Sequence, residues 1–515
     1  MWASTIAGVW LDEDLNSVVR RALAMAASEQ YVRLAVQFVL IVAVSRLLTP
    51  TEIGVSVIGT GIVTVALGLR EFATSDFLIQ RREVGRDDIR TAFTLAFLLT
   101  AVITMAMFAL APWFGSFYGE EKLARFLRIA AIGGLIEALA LPIRGLLRRE
   151  MEFGTLALIN SASAATTAVV TILLALAGFS YMSVAWAMLA AACTTTVLSF
   201  YLRPDLSILR PRFKSWGSVL AFGGYNGASF VINRVYEALP QLVLGHLLPH
   251  AAVGLYNRAQ MVSDIPDRIV LTSVFSIAFP ALAAETRNGR SLQEPYLRAL
   301  SYITVVYWPP LILLALLAYP VVALLLGPQW SSVVPLLQVM AIAGLAWFPV
   351  VLTSPVLLAV GANRDRVLAD LLGRSVSAVI LCAAAFFGIM AMAASKLVTL
   401  PFQMIVSFCF VRRHVEFQWR ELWSAVAKSI LVTAGSVAGP AGVVALSSAG
   451  FDLSIQSTAL AALLAATGWF ATVLATQHPI LLELRTGAAI LAKTTFASGL
   501  RRRVSALVPR TRESG

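Results

Sequence analysis

Residues 45–55 read SRLLTPTEIGV and residues 245–255 read GHLLPHAAVGL, so Ser45-Arg46-Leu47-Leu48 with Ile53-Gly54-Val55 returns as Gly245-His246-Leu247-Leu248 with Val253-Gly254-Leu255. Each copy lies between two long apolar runs, which makes the repeated unit a block of membrane helices and not a soluble motif. A second pair, LRIAAIGGL at Leu127 to Leu135 and LQVMAIAGL at Leu337 to Leu345, recurs at a shift of 210 residues against 200 for the first, so the second half carries a short loop insertion. An even number of spans separates the copies, which makes both halves enter the membrane in the same direction, related by an axis along the membrane normal. Repeats of this kind mark chains whose halves rock about a central site.

Composition agrees. Of 515 residues, 58% are apolar and 13% charged, and the mean hydropathy is +0.80, whereas soluble chains carry roughly 25% charge. Apolar stretches long enough to span a bilayer fall near 28–48, 53–70, 91–112, 124–146, 154–177 and 181–202, then 217–244, 252–281, 298–326, 333–359, 368–388 and 392–411, and last 426–449 and 455–477. The expected fold is an all-α polytopic membrane protein of about fourteen transmembrane helices. Two pseudo-symmetric six-helix bundles, 28–203 and 216–413, are joined by a cytoplasmic linker at 204–215 and followed by two additional helices within 414–477. Residues 1–27 form a cytoplasmic segment with a surface-lying helix at 13–27, and 478–515 a basic cytoplasmic tail.

Arginines set the orientation. Arg81 and Arg82 follow the second span, Arg148 and Arg149 the fourth, Arg203, Arg210 and Arg212 the sixth, and Arg412 and Arg413 the twelfth, while the alternate loops hold little beyond Arg46, Lys122 and Lys396. By the positive-inside rule both termini are cytoplasmic. The net charge of +12 is thus dispersed over short loops, which argues against nucleic acid as a partner. Basic residues interleaved with apolar ones in the tail suit a membrane lipid surface. Cys193, Cys382 and Cys409 show neither disulfide nor metal spacing.

Charges inside the spans are the candidate site, because each costs about 3 kcal/mol or more in hydrocarbon unless it faces a cavity or a partner. They are Arg33, Arg128, Glu137, Arg234, Glu237, Arg258, Asp264, Asp267, Arg268, Asp370 and Arg374. Arg33 and Arg234 hold nearly the same place in the two copies and converge on any cavity between the halves. Glu237 with Arg234, and Arg268 with Asp264, have the spacing at which a pair neutralises itself on one helix face. Arg33 has only Glu29 on its own span, and Arg258 follows Asn257 near the outer end of its helix. The substrate-binding candidates are Arg33, Arg234, Arg258 and Asn233, with Asn160, Asn226 and Gln241 adding polar groups. Glu237, Asp264 and Asp267 are the ion-coupling candidates for a cycle driven by a proton or sodium gradient. Gly223, Gly224 and Gly227 loosen the start of the seventh span, and Pro240 and Pro266 interrupt the seventh and eighth.

Enzyme chemistry finds little support. No glycine-rich phosphate loop ends in Lys-Ser or Lys-Thr. His246, His250, His414 and His478 lack paired ligand spacing, and Pro249 spoils a helical metal face between the first two. No metal, cofactor or catalytic group is expected.

The run Gly254-Leu255-Tyr256-Asn257-Arg258-Ala259, with Ile265-Pro266 and Phe279-Pro280-Ala281-Leu282, resembles the eighth span of the polysaccharide transporter family. These are the Wzx-like oligosaccharide flippases of the multidrug/oligosaccharidyl-lipid/polysaccharide (MOP) exporter superfamily. Ser45-Arg46-Leu47-Leu48-Thr49-Pro50, Leu78-Ile79-Gln80-Arg81, Asn233-Arg234 and Leu326-Gly327-Pro328-Gln329-Trp330 are similar to the same family, over about residues 28–420; Phe72-Ala73-Thr74-Ser75-Asp76 departs from its usual glycine-containing turn. The resemblance implies a MATE-like fold and the flipping of an undecaprenyl-diphosphate-linked oligosaccharide to the outer leaflet of the bacterial inner membrane. That step would serve exopolysaccharide or lipopolysaccharide biosynthesis, beside a polysaccharide polymerase and export machinery. Guanidinium groups suit such a cargo, since they bind phosphate oxygens bidentately and stay protonated. Lipid II flipping and drug or cation export are the alternatives within the superfamily. A membrane glycan polymerase or ligase, from a different class, needs a long outward loop that this chain lacks.

Overall fold

A computed structural model describes residues 13–70, 85–212, 233–269, 282, 285–447 and 450–485, with side chains from Glu29 onward. Asn226, Gly223, Gly224, Gly227, the motif stretches at 72–81 and 279–281, and the tail beyond residue 485 lie outside the described residues. Helix α1 (Glu13–Leu47) runs unbroken for 35 residues. The separate surface helix expected at 13–27 is therefore the first part of a longer helix, because neither glycine nor proline interrupts it. Helix α2 (Pro50–Gly68) starts at a reciprocal cap: Glu52 N–H donates to Thr49 Oγ1 and Thr49 N–H to Glu52 Oε2, with Pro50 in the first turn.

The N-terminal lobe continues with α3 (Arg86–Phe117), α4 (Leu123–Ala138), α5 (Leu141–Arg149), α6 (Phe153–Leu176) and α7 (Met182–Leu202). A bend of 45° separates α4 from α5, where Pro142 opens the new helix. The C-terminal lobe holds α8 (residues 233–247), α9 (His250–Ser263), α10 (Gln293–Leu316), α11 (Ala318–Leu325), α12 (Val333–Gly344), α13 (Val350–Ala359), α14 (Asn363–Ala385) and α15 (Ile389–Val411). Helices α16 (Trp419–Leu446) and α17 (Ile455–Ala475) pack on each other, and α16 packs on α10.

Among the described residues, 11 helices are long and apolar enough to cross a membrane, or 12 when α4 and α5 count as one span. The chain is a multi-pass membrane protein. The expected seventh and eighth spans, 217–244 and 252–281, run partly outside the described residues.

The lobes touch where α2 lies on α9, and that contact is the sequence repeat. A Cβ on Gly54 would stand 1.8 Å from the His250 carbonyl oxygen, and one on Gly254 would stand 2.1 Å from that of Pro50. Only glycine lets the backbones approach so closely. Beside it, the Ser45 carbonyl at the end of α1 accepts from the Trp330 indole at 2.7 Å and the Gln329 amide at 2.6 Å, and the Arg46 guanidinium donates to the Leu324 carbonyl at 2.6 Å. These bonds satisfy carbonyls that a helix end leaves orphaned. Gly327, at φ +104°, makes the turn that delivers Pro328-Gln329-Trp330.

Candidate functional site

The seam at this end of the lobes is closed by two histidines. His250 Nε2 lies 2.8 Å from the Tyr118 carbonyl oxygen and His246 Nδ1 lies 3.3 Å from that of Phe117. A carbonyl only accepts, so both ring nitrogens are the protonated ones. The Phe117 ring stacks on His246 with centroids 4.1 Å apart.

Behind the seam lies a cavity of about 380 Å³ between α1, α2 and α6 on one side and α8 and α9 on the other, with Thr60, Gln241, Asn257 and Arg258 in its wall. Arg258 is 5% exposed. Its Nη1 rests 3.2 Å from the Met261 sulfur, its guanidinium lies 5.9 Å from the Trp330 ring centre, and its Nε has no hydrogen-bond partner. Among the described residues no carboxylate pairs with it, and a buried cation without a counter-charge is expensive to keep. The remaining three binding candidates are less enclosed. Arg33, half exposed, lies 3.9 Å from Glu29. Arg234 pairs with Glu237 at 3.0 Å near the start of α8, and Asn233 is half-buried beside it.

Arg33 belongs to a chain of polar groups through the N-terminal lobe that the sequence did not reveal. Asn160 Nδ2 donates to Glu29 at 2.8 Å, and Arg144 donates to Asn160 at 3.3 Å and to Glu137 at 3.2 Å. Arg70 closes the chain on Glu137 at 2.9 Å. Three guanidiniums thus share two carboxylates, and Arg144 Nε remains buried without a hydrogen-bond partner. Arg128, by contrast, is exposed.

The coupling candidates gather elsewhere. Asp264 and Asp267 line a cavity of about 310 Å³ inside the C-terminal lobe, and Glu237 lines both cavities. Pro266 lacks an N–H for the carbonyl four residues back, so the helix turns at Asp264 and resumes over residues 265–269. Pro240 lies within the unbroken helix 233–247 and interrupts nothing there. Lys396, read from the sequence as a loop charge, lies within α15 and lines this same cavity, its ammonium 5.6 Å from the Tyr256 ring centre. Arg374 sits 5.4 Å from the Tyr236 ring centre, and Arg268 reaches Gln37 of α1 at 3.4 Å.

An apolar groove of about 650 Å³ runs beside the inter-lobe cavity. Its walls are Phe38 of α1, Ile265 and Pro266, Pro309 and Pro310 of α10, and Trp469 of α17. The groove and the inter-lobe cavity share no lining residue, but both are walled in part by α1.

Two lobes of this helix order define a membrane protein of the exporter fold. Lipid II flippase MurJ, in an inward closed conformation, superposes with a TM-score of 0.71 at 10% identity, over 87% of this chain and 98% of that one. A multidrug resistance MATE family transporter of the MOP superfamily, in its inward-facing conformation, gives 0.62 at 14% identity, over 75% and 97%. The family described as "Polysaccharide biosynthesis protein" matches residues 43–335, more than half of the sequence, and the chain belongs to it. Similar relatives include the lipopolysaccharide biosynthesis protein WzxC of Escherichia coli, 25% identical over 58% of this chain and 62% of its own length. The teichuronic acid biosynthesis protein TuaB of Bacillus subtilis is 24% identical over 52% and 56%. The succinoglycan biosynthesis transport protein ExoT of Rhizobium meliloti is 25% identical over 60% and 62%. The match thus spans less than two thirds of the length of these relatives.

Proposed function

We propose that the protein is a flippase that carries a polyprenyl-diphosphate-linked oligosaccharide repeat unit across the bacterial inner membrane for surface polysaccharide biosynthesis. The observation that carries this reading is Arg258, a buried guanidinium with no carboxylate, on the wall of a cavity between two lobes. A diphosphate supplies the missing counter-charge and bidentate acceptors. Arg33 and Arg234 add to the positive field, and Asn233 and Gln241 offer hydrogen bonds. The undecaprenyl chain takes the apolar groove walled by α1, α10 and α17. Membership of the polysaccharide biosynthesis family supports the sugar cargo.

Fourteen spans, with residues 28–203 and 216–413 as pseudo-symmetric halves, both termini cytoplasmic and the histidine-closed seam facing outward, complete the picture. Alternating access then consists of opening that seam and closing the opposite end. A proton or sodium gradient drives the cycle through Glu237, Asp264 or Asp267. In the test, the gene is replaced in its host by Arg258→Ala, Arg33→Ala or Arg234→Ala, with membrane levels checked by immunoblot. The expected result is loss of surface polysaccharide and accumulation of lipid-linked oligosaccharide in all three. Normal surface polysaccharide with Arg258→Ala ends the diphosphate reading.

A further inference from the structure

We propose that the cavity inside the C-terminal lobe is a sugar site, taking one uncharged pyranose ring of the oligosaccharide, next to the place where its diphosphate is held; this rests on the flippase reading above. The cavity encloses about 310 Å³, at the small end of the range for ligand pockets, too small for a whole repeat unit and suited to a single ring. Its walls carry four aromatic side chains, Tyr236, Tyr256, Tyr307 and Trp347. The C–H face of a pyranose packs on the two that are only part-buried, Tyr236 and Trp347, since aromatic faces are electron-rich. Around them stand groups that match neighbouring hydroxyls. The carboxylates of Asp264 and Asp267 accept, the Gln260 amide both donates and accepts, and the Gln403 carbonyl oxygen accepts, its two N–H groups being given to Tyr236 and Ser377.

Two further observations point to a ligand. The Tyr256 hydroxyl is buried and has no hydrogen-bond partner among the described residues, although buried hydroxyls are nearly always satisfied. A sugar hydroxyl would satisfy it. The cations of the cavity are already engaged, Lys396 with the Tyr256 ring and the Asp264 charge, Arg374 with the Tyr236 ring and the Asp370 charge. A ring with its own carboxylate therefore finds no free counter-charge, and an uncharged one fits. Position completes the case. Tyr256 and Arg258, two residues apart on α9, line different cavities, and Glu237 borders both. A sugar joined directly to a diphosphate reaches across that shared wall.

The full-length protein in lipid nanodiscs is probed by saturation-transfer NMR with soluble oligosaccharides of glucose, galactose, N-acetylglucosamine and glucuronic acid. Binding of polyprenyl diphosphate without sugar is measured in parallel. The expected result is binding of at least one uncharged member, weakened about tenfold or more by Trp347→Ala and by Gln260→Ala and largely restored in Trp347→Phe. Polyprenyl diphosphate binding stays within about twofold in these variants, which shows that they are folded. The sugar site is overturned if no uncharged oligosaccharide binds, if binding survives both substitutions, or if the glucuronic acid oligosaccharide binds best. Failure of polyprenyl diphosphate to bind the unsubstituted protein overturns the flippase reading instead, whatever the sugars do.

Discussion

A buried side chain declares its role by what it lacks or what it holds, and His478 holds a great deal. Its Nδ1 accepts the Ile480 N–H at 3.2 Å, so in the neutral ring the proton sits on Nε2, 3.2 Å from the hydroxyls of both Ser301 and Ser429. The residue lies beyond the last span yet is 1% exposed, and burial, with Lys428 nearby, pushes its imidazole down to about 4 from an ordinary 6.5. A second proton would leave two N–H groups facing each other at Nδ1. Below about 6.5 the unfolded chain takes up a proton that the folded one refuses, so stability from this ring is complete above 6.5 and is lost as pH falls toward 4. His478→Ala should cost about 1–3 kcal/mol at neutral pH by removing the acceptor of the Ile480 N–H and the partner of the Ser301 hydroxyl. In thermal melts of the detergent-purified protein the gap between the two forms should narrow as pH falls through that window; a gap that stays constant excludes a titrating His478. Legibility at this scale depended on where a charge stands in its span. Arg33, Arg234 and Arg258 each stand five or more residues inside an expected span, so a small shift in the span end leaves them within it. Arg70, Arg144 and Lys396 lie within a turn or so of a span end, and a shift of a few residues in that end moves each between a loop and the interior.

Among the elements, the repeat showed that α2 and α9 correspond, because apolar runs bracket both copies and the glycines recur in register. It could not show that the copies lie against each other, since sequence periodicity reports one helix at a time and not its neighbour. The bend between α4 and α5 escaped for a related reason: the run from 124 to 146 is apolar enough for one span, and only Pro142 marks the break. His246 and His250, which looked idle for want of metal spacing, derive their role from α3, whose last carbonyls they bond. The double variant His246→Ala with His250→Ala removes both bonds and the stack on Phe117. Hydrogen exchange followed by mass spectrometry should then show faster exchange over residues 114–122 and 246–254, by about tenfold if the two bonds together contribute about 1.4 kcal/mol to closure. Unchanged exchange in both segments removes the histidines from the closed seam.

For the whole molecule, a rocking motion needs a contact that is tight when closed and leaves nothing behind when it parts, and the crossing of Gly54 and Gly254 has that character. A backbone-to-backbone approach depends on the absence of side chains, so a single added side chain acts on the balance between two states of the entire protein more than on local packing. In Gly54→Leu the new side chain has no room beside the His250 carbonyl, which a bare Cβ would already meet at 1.8 Å. The lobes must separate at this end, which, in the orientation proposed above, biases the molecule toward the form open to the outside. Thr60, part-buried in the wall of the 380 Å³ cavity, reports that opening. With Cys193, Cys382 and Cys409 replaced by alanine and Thr60→Cys introduced, a membrane-impermeant maleimide added to intact cells should label slowly. Adding Gly54→Leu should raise the rate about tenfold, the effect of a shift of about 1.4 kcal/mol between the states. Polysaccharide export should fall with it, because a seam that cannot close returns no empty site to the cytoplasmic side. Fast labelling that needs no Gly54→Leu would place the open end on the outer face already, and labelling that stays slow with it would show that the lobes do not part along α2 and α9.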